Sequence, residues 1–187
     1  MRADPSPGNA RQLRLLGRLL DAAAERGMPV WLGGGWAIDA RLGRITRSHE
    51  DLDLAFPADR QDAFVGLIGT LGATIIETTS YGFLARCDGV LLDCEPAHRD
   101  GTAYAIEGTP PGSCPYAAEG MLDGRRLRCT SWAAILWDYF HYAMELPPAC
   151  WPARHLQSYA LVVAAVGEDE LARLRARFAA GRSPGDA

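Results

Sequence analysis

The sequence lacks the features of a membrane, secreted or metal-thiolate protein. Its longest apolar stretch in the C-terminal half, residues 159–166, is far too short to span a bilayer. The N-terminus carries Pro5 and Pro7 and lacks the basic-then-apolar order of a signal peptide. The five cysteines form no Cys-x-x-Cys pair, which argues against a zinc knuckle or a redox dithiol. These absences predict a cytoplasmic protein whose cysteines are small buried hydrophobes.

An excess of positive charge is also missing. The 19 basic and 23 acidic residues give a formal net charge of −4. Because nucleic-acid-binding proteins are usually basic, a nucleic-acid partner is disfavoured. The short basic run of Arg125, Arg126 and Arg128 is better explained as the solvated face of a hairpin. An acidic chain suits a cationic partner, and we expect a monomer that binds neither nucleic acid nor membrane.

Apolar residues recur at helical or alternating spacing along most of the 187 residues, and the hydrophobic content of 48% is enough for a core. The predicted helices are residues 11–26, 36–42, 59–71, 131–145, 151–166 and 168–179. The predicted strands are residues 30–32, 51–56, 74–78, 82–87 and 90–95. Asp88-Gly89 is typical of a two-residue hairpin turn, and the tail at 181–187 is predicted to be disordered.

The change from mixed to purely helical segments predicts the domain organisation. We expect an α+β fold, with a core at residues 1–100 and a mainly helical subdomain at 101–187. Residues 99–128 are irregular, with glycine and proline at several points. The residues of the first helix that share one stripe, and that are expected to face the core, are Leu13, Leu16, Leu20 and Ala24.

Three consecutive glycines, Gly33, Gly34 and Gly35, separate the first predicted strand from the second predicted helix. Glycine lets the backbone approach a ligand closely, and the free N–H groups at a helix start attract an anion such as a phosphate. A tight turn that needs a positive φ explains the run equally well. The glycines alone therefore leave the choice between a phosphate site and a plain turn open.

Two pairs of acidic residues alternate with apolar residues on predicted strands. Asp51 and Asp53 leave one face of their strand, and Asp93 and Glu95 leave one face of theirs. If the two strands are neighbours, three or four carboxylates converge, which is unfavourable without a cation between them. Such a cluster is typical of a two-metal phosphoryl-transfer site, since Mg²⁺ prefers oxygen ligands and phosphate. The alternative is a set of separate surface acids.

These motifs resemble a known superfamily. Two glycines before a short helix, Asp51-x-Asp53, and Asp93 on a later strand are the pattern of the DNA polymerase β-like nucleotidyltransferases. Within that superfamily the chain resembles the aminoglycoside 2''-nucleotidyltransferases from about residue 19 to about residue 178. The runs that carry the resemblance are residues 31–44, 46–47, 51–54, 81–85, 91–97 and 137–140.

The resemblance implies a fold and a reaction. The expected fold is a small mixed β-sheet with flanking helices, followed by a C-terminal helical bundle. The expected reaction is attack of an antibiotic 2''-hydroxyl on the α-phosphorus of a nucleoside triphosphate, most simply ATP, with pyrophosphate leaving. Asp51, Asp53 and Asp93 are then ligands of two Mg²⁺ ions, and Asp93 is also the general base.

The resemblance also assigns binding residues. The residues expected along the phosphates are Gly34, Arg47 and His49. The residues expected on the side of the aminoglycoside are Tyr81, Glu95 and Asp138. His49 is explained nearly as well as a residue that caps its loop, and Asp39 as one that caps the short helix or pairs with Arg41 or Arg44.

Several positions depart from the family pattern and widen the choice of acceptor. Ser48 stands in place of a lysine, and the pair His98-Arg99 in place of two aromatic residues. His141 and Met144 replace a tyrosine and an aspartate near Asp138. A lincosamide or another hydroxylated small molecule is therefore an alternative acceptor. A non-catalytic nucleotide-binding regulator is a weaker alternative, because it would be expected to lack one of the three aspartates.

Overall fold

The computed structural model of the chain describes residues 6–181, so all of the predicted tail at 181–187 except Gly181 lies outside the described residues. The α-helices in this part are α1 (Pro7–Glu25), α2 (Gly34–Leu42), α3 (Gln61–Thr70), α4 (Trp132–Glu145), α5 (Ala153–Val166) and α6 (Glu168–Ala180). The strands are β1 (Trp31–Leu32), β2 (Asp51–Pro57), β3 (Thr74–Thr78), β4 (Phe83–Cys87), β5 (Val90–Asp100), β6 (Ala103–Ile106), β7 (Gly120–Leu122) and β8 (Arg125–Leu127). No helix among these residues is long and apolar enough to cross a membrane.

The main sheet is mixed, as the α+β prediction requires. Its strand order is β1-β2-β5-β4-β3, with β6 paired to the far end of β5. Strands β2 and β5 are parallel and all other neighbouring pairs in this sheet are antiparallel. A parallel pair needs a long connection, and here α3 and the β3-β4 hairpin provide it. The two acidic strands are therefore neighbours at the centre of the sheet.

Alternation along β2 and β5 divides the sheet into a buried face and a polar face. Leu52, Leu54, Leu92 and Cys94 are at most 2% exposed and belong to the core. The aspartates between them are partly exposed on the other face. Helices α1 and α3 pack on the strands from the core side. Burial of the apolar face thus fixes the direction in which the carboxylates leave the sheet.

Helix α1 begins earlier than predicted and buries a different stripe. Ser6 caps it by accepting a hydrogen bond from the Asn9 N–H, and Pro7 occupies the first helical position. The predicted stripe is wrong in phase, because Ala24 is exposed. Because the leucines come in adjacent pairs, the apolar pattern is compatible with two different helix faces. The face that is buried in the structure is the one that also carries polar residues near the N-terminus. The buried residues of α1 are Asn9, Gln12, Leu15, Leu16, Leu19 and Ala23.

The irregular segment after β5 contains short strands that sequence patterns did not predict. β5 continues to Asp100 and forms a hairpin with β6, and β7 and β8 form a second, separate hairpin. Runs of three or four residues carry too little alternation to be recognised. The predicted Asp88-Gly89 turn is confirmed, with both residues at positive φ.

The chain divides into two compact units, Met1–Thr130 and Ser131–Ala187. The β5-β6 hairpin spans the position, near residue 100, at which the sequence analysis places the boundary. Within the second unit, α4, α5 and α6 pack through aromatic side chains. Tyr139 contacts Trp151 and Tyr159, and Trp137 contacts Phe178. These ring contacts hold the three helices of this unit together.

Candidate active site

The acidic site lies on the polar face of two adjacent parallel strands. Asp53 of β2 and Asp93 of β5 are direct register partners, and Asp51 is opposite Leu91. Neighbouring strands lie about 4.8 Å apart, so the two partners hold their carboxylates side by side. Glu95 follows two residues later on the same face of β5 and is opposite Ala55. The structure therefore brings together the carboxylates that the sequence analysis grouped.

The cluster is electrostatically unfavourable without a cation. Burial, followed by the charges of Asp51 and Asp93, raises the pKa of Asp53 from 3.8 to about 7, and Glu95 adds to this effect. Burial and the charge of Asp51 also raise the pKa of Asp93. Carboxylates that repel one another in this way bind either protons or a metal ion. At neutral pH the site has a strong preference for added positive charge.

The glycine turn is built around the Asp53 carboxylate. Gly33 N–H donates to the Asp53 carbonyl oxygen at 2.9 Å, which attaches the start of α2 to β2. Gly34 has φ +48, and a Cβ at this position would overlap the Asp53 carboxylate. The turn thus needs glycine both for its backbone conformation and for the close approach. The N-terminal end of α2, which favours anions, lies directly beside the carboxylate cluster.

Gly34→Ala is expected to destabilise the protein by about 1–3 kcal/mol and to lower activity at least about a hundredfold, because the new Cβ displaces Asp53. Thermal unfolding and steady-state kinetics would measure the two effects. Gly43→Ala is the matched control, since Gly43 also has a positive φ but open space around it. Equal activity losses in both variants would contradict the proposed contact between the turn and Asp53.

Two side chains from the loop between α2 and β2 lie against the same turn. A Cβ at Gly35 would overlap the Arg47 guanidinium and would lie 2.7 Å from His49 Nδ1. Arg47 is partly exposed, and its Nη1–H donates to the Ser48 carbonyl at 2.9 Å. The His49 side chain is only 2% exposed. The structure therefore places Arg47 at the mouth of the turn and His49 beneath it.

His49 pairs with Asp39, a partner that the sequence analysis did not foresee. His49 Nε2 lies 2.7 Å from Asp39 Oδ2. Asp39 is fully buried and also accepts from the Thr46 hydroxyl. Arg41, which the sequence analysis offered as one partner of Asp39, donates to Glu119. Spacing along α2 favoured a neighbour in sequence, whereas the real partner is ten residues away.

A cavity of about 610 Å³ opens beside the acidic site. Along one edge of β5 the partner strand changes from β4, which pairs through Cys94, to β6, which pairs from Ala97 onward. The cavity lies at this change of partner. Its polar lining includes Tyr81, Glu95, His98 and Glu107, and its apolar lining includes Phe83 and Ile106.

Tyr81 connects this cavity to the carboxylates. The charge of Asp93, followed by burial, raises the pKa of Tyr81, so its hydroxyl lies within electrostatic reach of that aspartate. The ring is 49% exposed and is available to a ligand. Arg99 does not line this cavity; its guanidinium lies over the Tyr104 ring, 5.4 Å from the centroid.

Asp138 belongs to the second compact unit. It is exposed on α4, one turn before the partly buried Tyr142. His141 is exposed on the same helix, and its ring packs edge-on against Phe178 at 4.9 Å. Met144 is 47% exposed. The positions that depart from the family pattern in α4 are thus on its solvent-accessible surface.

A glycine turn at the start of a helix, Asp-x-Asp on the next strand and a third aspartate on the adjacent parallel strand define the chain as a nucleotidyltransferase. Comparison with known proteins identifies the family. Residues 15–162 match the family model of the aminoglycoside-2''-adenylyltransferases. The chain belongs to this family, which confirms the resemblance seen in the sequence.

Individual relatives agree with the family model. The chain is 51% identical over 167 residues to a 2''-aminoglycoside nucleotidyltransferase of Escherichia coli, covering 89% of this chain and 94% of that enzyme. The crystal structure of ANT(2'')-Ia in complex with adenylyl-2''-tobramycin superposes with a TM-score of 0.89 at 50% identity, covering 91% and 98% of the two chains. A lincomycin-bound lincosamide adenylyltransferase, LnuA, shares the fold at 18% identity, with a TM-score of 0.58 and coverage of 80% and 94%.

Proposed function

We propose that this enzyme transfers AMP from ATP to the 2''-hydroxyl of an aminoglycoside and thereby inactivates the antibiotic. The observation that carries the proposal is the register of Asp53 with Asp93, which assembles the carboxylate cluster beside the glycine turn. The 51% identity to 2''-aminoglycoside nucleotidyltransferases supports the choice of acceptor. Acceptor-dependent release of pyrophosphate from ATP would test the reaction.

The carboxylate cluster fits two Mg²⁺ ions, because its ligands are oxygens and because burial, together with the neighbouring carboxylates, raises the pKa of Asp53 to about 7. Asp51, Asp53 and Asp93 would hold the two ions. Among residues 6–181 no three acidic, histidine or cysteine side chains form a metal site by themselves. Phosphate oxygens of the nucleotide would complete the ligands, as is usual for Mg²⁺. When bound, Mg²⁺ neutralises phosphate charge and lowers the pKa of the attacking hydroxyl.

The glycine turn and the following loop would hold the triphosphate. The backbone at Gly34 lies at the start of α2, where N–H groups and the helix dipole favour an anion. The guanidinium of Arg47 lies beside the same turn and can bind phosphate oxygens in a bidentate manner. His49 belongs to this loop, but its burial against Asp39 favours support of the loop over direct phosphate contact.

Asp93 would accept the proton of the acceptor hydroxyl. In the metal-free protein, burial and the charge of Asp51 raise the pKa of Asp93, which strengthens this carboxylate as a base. The hydroxyl oxygen then attacks the α-phosphorus, the bond to the pyrophosphate oxygen breaks, and pyrophosphate leaves. Tyr81, within electrostatic reach of Asp93, would help to orient the acceptor.

The cavity beside the cluster would receive the aminoglycoside. Glu95 lines it from the same strand as Asp93 and can pair with an ammonium group of the antibiotic. The family resemblance assigns Asp138 of α4 to the aminoglycoside as well. Opposite charges of this kind speed encounter and fix orientation. The acceptor is thus recognised by carboxylates that are distinct from those that would bind the metals.

Glu95→Gln is expected to raise the KM for tobramycin about tenfold, because one charge-assisted hydrogen bond to an ammonium group is lost. The KM for ATP should change less than twofold. Steady-state kinetics at low and high salt would measure both constants, and Glu107→Gln provides a comparison in the same cavity. A larger increase in the KM for ATP than in the KM for tobramycin would contradict the placement of Glu95 on the acceptor side.

A lincosamide or another hydroxylated small molecule is the second candidate acceptor. The observation in its favour is His98, which brings an imidazole into the cavity where the family pattern has an aromatic residue. A panel of aminoglycosides and lincosamides, each assayed for pyrophosphate release, would separate the two. A non-catalytic regulator is disfavoured because Asp51, Asp53 and Asp93 are all present and grouped.

We also propose that the enzyme acts in the cytoplasm. All five cysteines are free, which suits a reducing compartment, and ATP is available there. Detection of the labelled protein in the separate fractions of disrupted cells would test this location. Recovery with a secreted or periplasmic fraction would contradict it.

A further inference from the structure

A cluster of buried polar side chains lies beneath the loop that carries Arg47. We call it the loop clamp. Its members come from α1, α2 and the loop, and each is at most 7% exposed: Asn9, Gln12, Trp36, Asp39 and His49. The proposed reaction assigns no role to Asn9, Gln12, Trp36 or Asp39. Buried polar groups are costly unless they are hydrogen-bonded, so each member must have a partner.

The loop clamp holds the loop by its backbone. Asn9 Nδ2–H donates to the Arg47 carbonyl at 2.8 Å, and its Oδ1 accepts from the His49 N–H at 2.9 Å. Gln12 Nε2–H donates to the His49 carbonyl at 2.9 Å. Two amide side chains of α1 therefore fix the peptide groups on either side of Ser48. This explains why α1 buries polar residues near its N-terminus.

The loop clamp also holds the His49 side chain. A carboxylate can only accept, so His49 Nε2–H donates to Asp39 Oδ2 at 2.7 Å. Trp36 packs against the imidazole with a centroid distance of 4.2 Å and a tilt of 32° between the rings, and its Nε1–H donates to Gln12 Oε1 at 2.6 Å. The ring is thus fixed in position on two sides by groups that are themselves buried.

The fixed imidazole determines what can lie at the glycine turn. His49 Nδ1 and the Arg47 guanidinium both lie against Gly35. Asp51 follows His49 by only two residues at the start of β2. A movement of the imidazole would therefore shift both the Arg47 side chain and the first residue of β2, Asp51.

We propose that Asp39 is a positioning residue for nucleotide binding, which acts through His49 on the loop that carries Arg47. This inference rests on the proposed function only in placing the triphosphate at the glycine turn. Asp39 does not touch the nucleotide. It provides the buried acceptor that keeps the imidazole, and with it the loop, in one arrangement before ATP arrives.

Asp39→Asn is expected to weaken ATP binding in the presence of Mg²⁺ about tenfold, measured by titration calorimetry on the full chain without acceptor. The reason is that one hydrogen bond to a buried charge is replaced by a weaker neutral one. The KM for tobramycin should stay within twofold. His49→Gln should cause a similar loss, and the double variant should lose no more than the larger single effect.

Ile68→Val is the control for a purely structural role, since Ile68 is buried in α3 and belongs to the core. It should lower the midpoint of thermal unfolding without changing ATP affinity. Thr46→Val removes a different hydrogen bond to Asp39 and keeps the imidazole contact. It should weaken ATP binding less than Asp39→Asn does, and it remains informative if Asp39→Asn fails to fold.

Unchanged ATP affinity in folded Asp39→Asn would overturn the inference. If the losses of ATP affinity in Asp39→Asn and His49→Gln were additive in the double variant, Asp39 would not act through His49. A wild-type enzyme that binds ATP but modifies no aminoglycoside would overturn the proposed acceptor instead. The ATP titrations would then still decide the role of Asp39.

Discussion

Asp93→Asn is expected to lower kcat by at least about a thousandfold. A general base contributes about 10²–10⁴-fold to rate, and Asn has the same shape but cannot accept the proton. In the metal-free protein the pKa of Asp93 is raised by burial and by the charge of Asp51. Rapid-quench assays of AMP transfer to tobramycin would measure the loss.

The matched control is Asp123→Asn. Asp123 is exposed at a positive φ in the β7-β8 turn, a conformation that Asn adopts as readily. It should leave kcat unchanged. Calorimetry should show that Asp93→Asn still binds ATP, because Asp51, Asp53 and the glycine turn remain. If Asp93→Asn kept a tenth or more of the wild-type kcat, another group would have to be the proton acceptor.

Asp53→Asn is expected to abolish activity and to stabilise the metal-free protein. The Asp53 pKa is raised from 3.8 to about 7, so between these values the folded state binds more protons than the unfolded state. The free energy of unfolding of the wild type therefore falls as pH rises from about 4 to about 7. At pH 8 this pKa shift corresponds to a loss on the order of 4 kcal/mol in the free energy of unfolding. Asp53→Asn should recover most of that loss.

Urea unfolding in EDTA at several pH values would measure this effect. Wild type should lose stability across the window while Asp53→Asn stays flatter, and Asp123→Asn should behave like wild type. Added Mg²⁺ with ATP should stabilise the wild type more than Asp53→Asn, since only the wild type keeps the full carboxylate cluster. If Asp53→Asn were less stable than wild type at pH 8 in EDTA, the repulsive cluster would be contradicted.

Much of the acidic site could be predicted from sequence because strand alternation is a local pattern. Asp51, Asp53, Asp93 and Glu95 each alternate with apolar residues, which fixed their common face. The pairing of β2 with β5 was a condition in the sequence analysis, and the structure confirms it. The family resemblance provided the reaction class, which alternation alone does not.

The features that sequence analysis missed depend on contacts between distant residues. The phase of α1 could not be chosen from its leucine pairs, because the buried Asn9 and Gln12 find their partners about 40 residues away. The partner of Asp39 was missed for the same reason. The cavity beside Glu95 arises where β5 changes its partner strand, and β6 was too short to recognise.

The most direct test of the proposed function is the position of the transferred AMP. The enzyme would be incubated with Mg²⁺, ATP and either kanamycin or its 2''-deoxy derivative, and the products analysed by mass spectrometry and NMR. We expect AMP on the 2''-oxygen of kanamycin, one pyrophosphate released per product, and no transfer to the 2''-deoxy compound. Equal transfer to both compounds, or pyrophosphate release that needs no aminoglycoside, would contradict the proposed function.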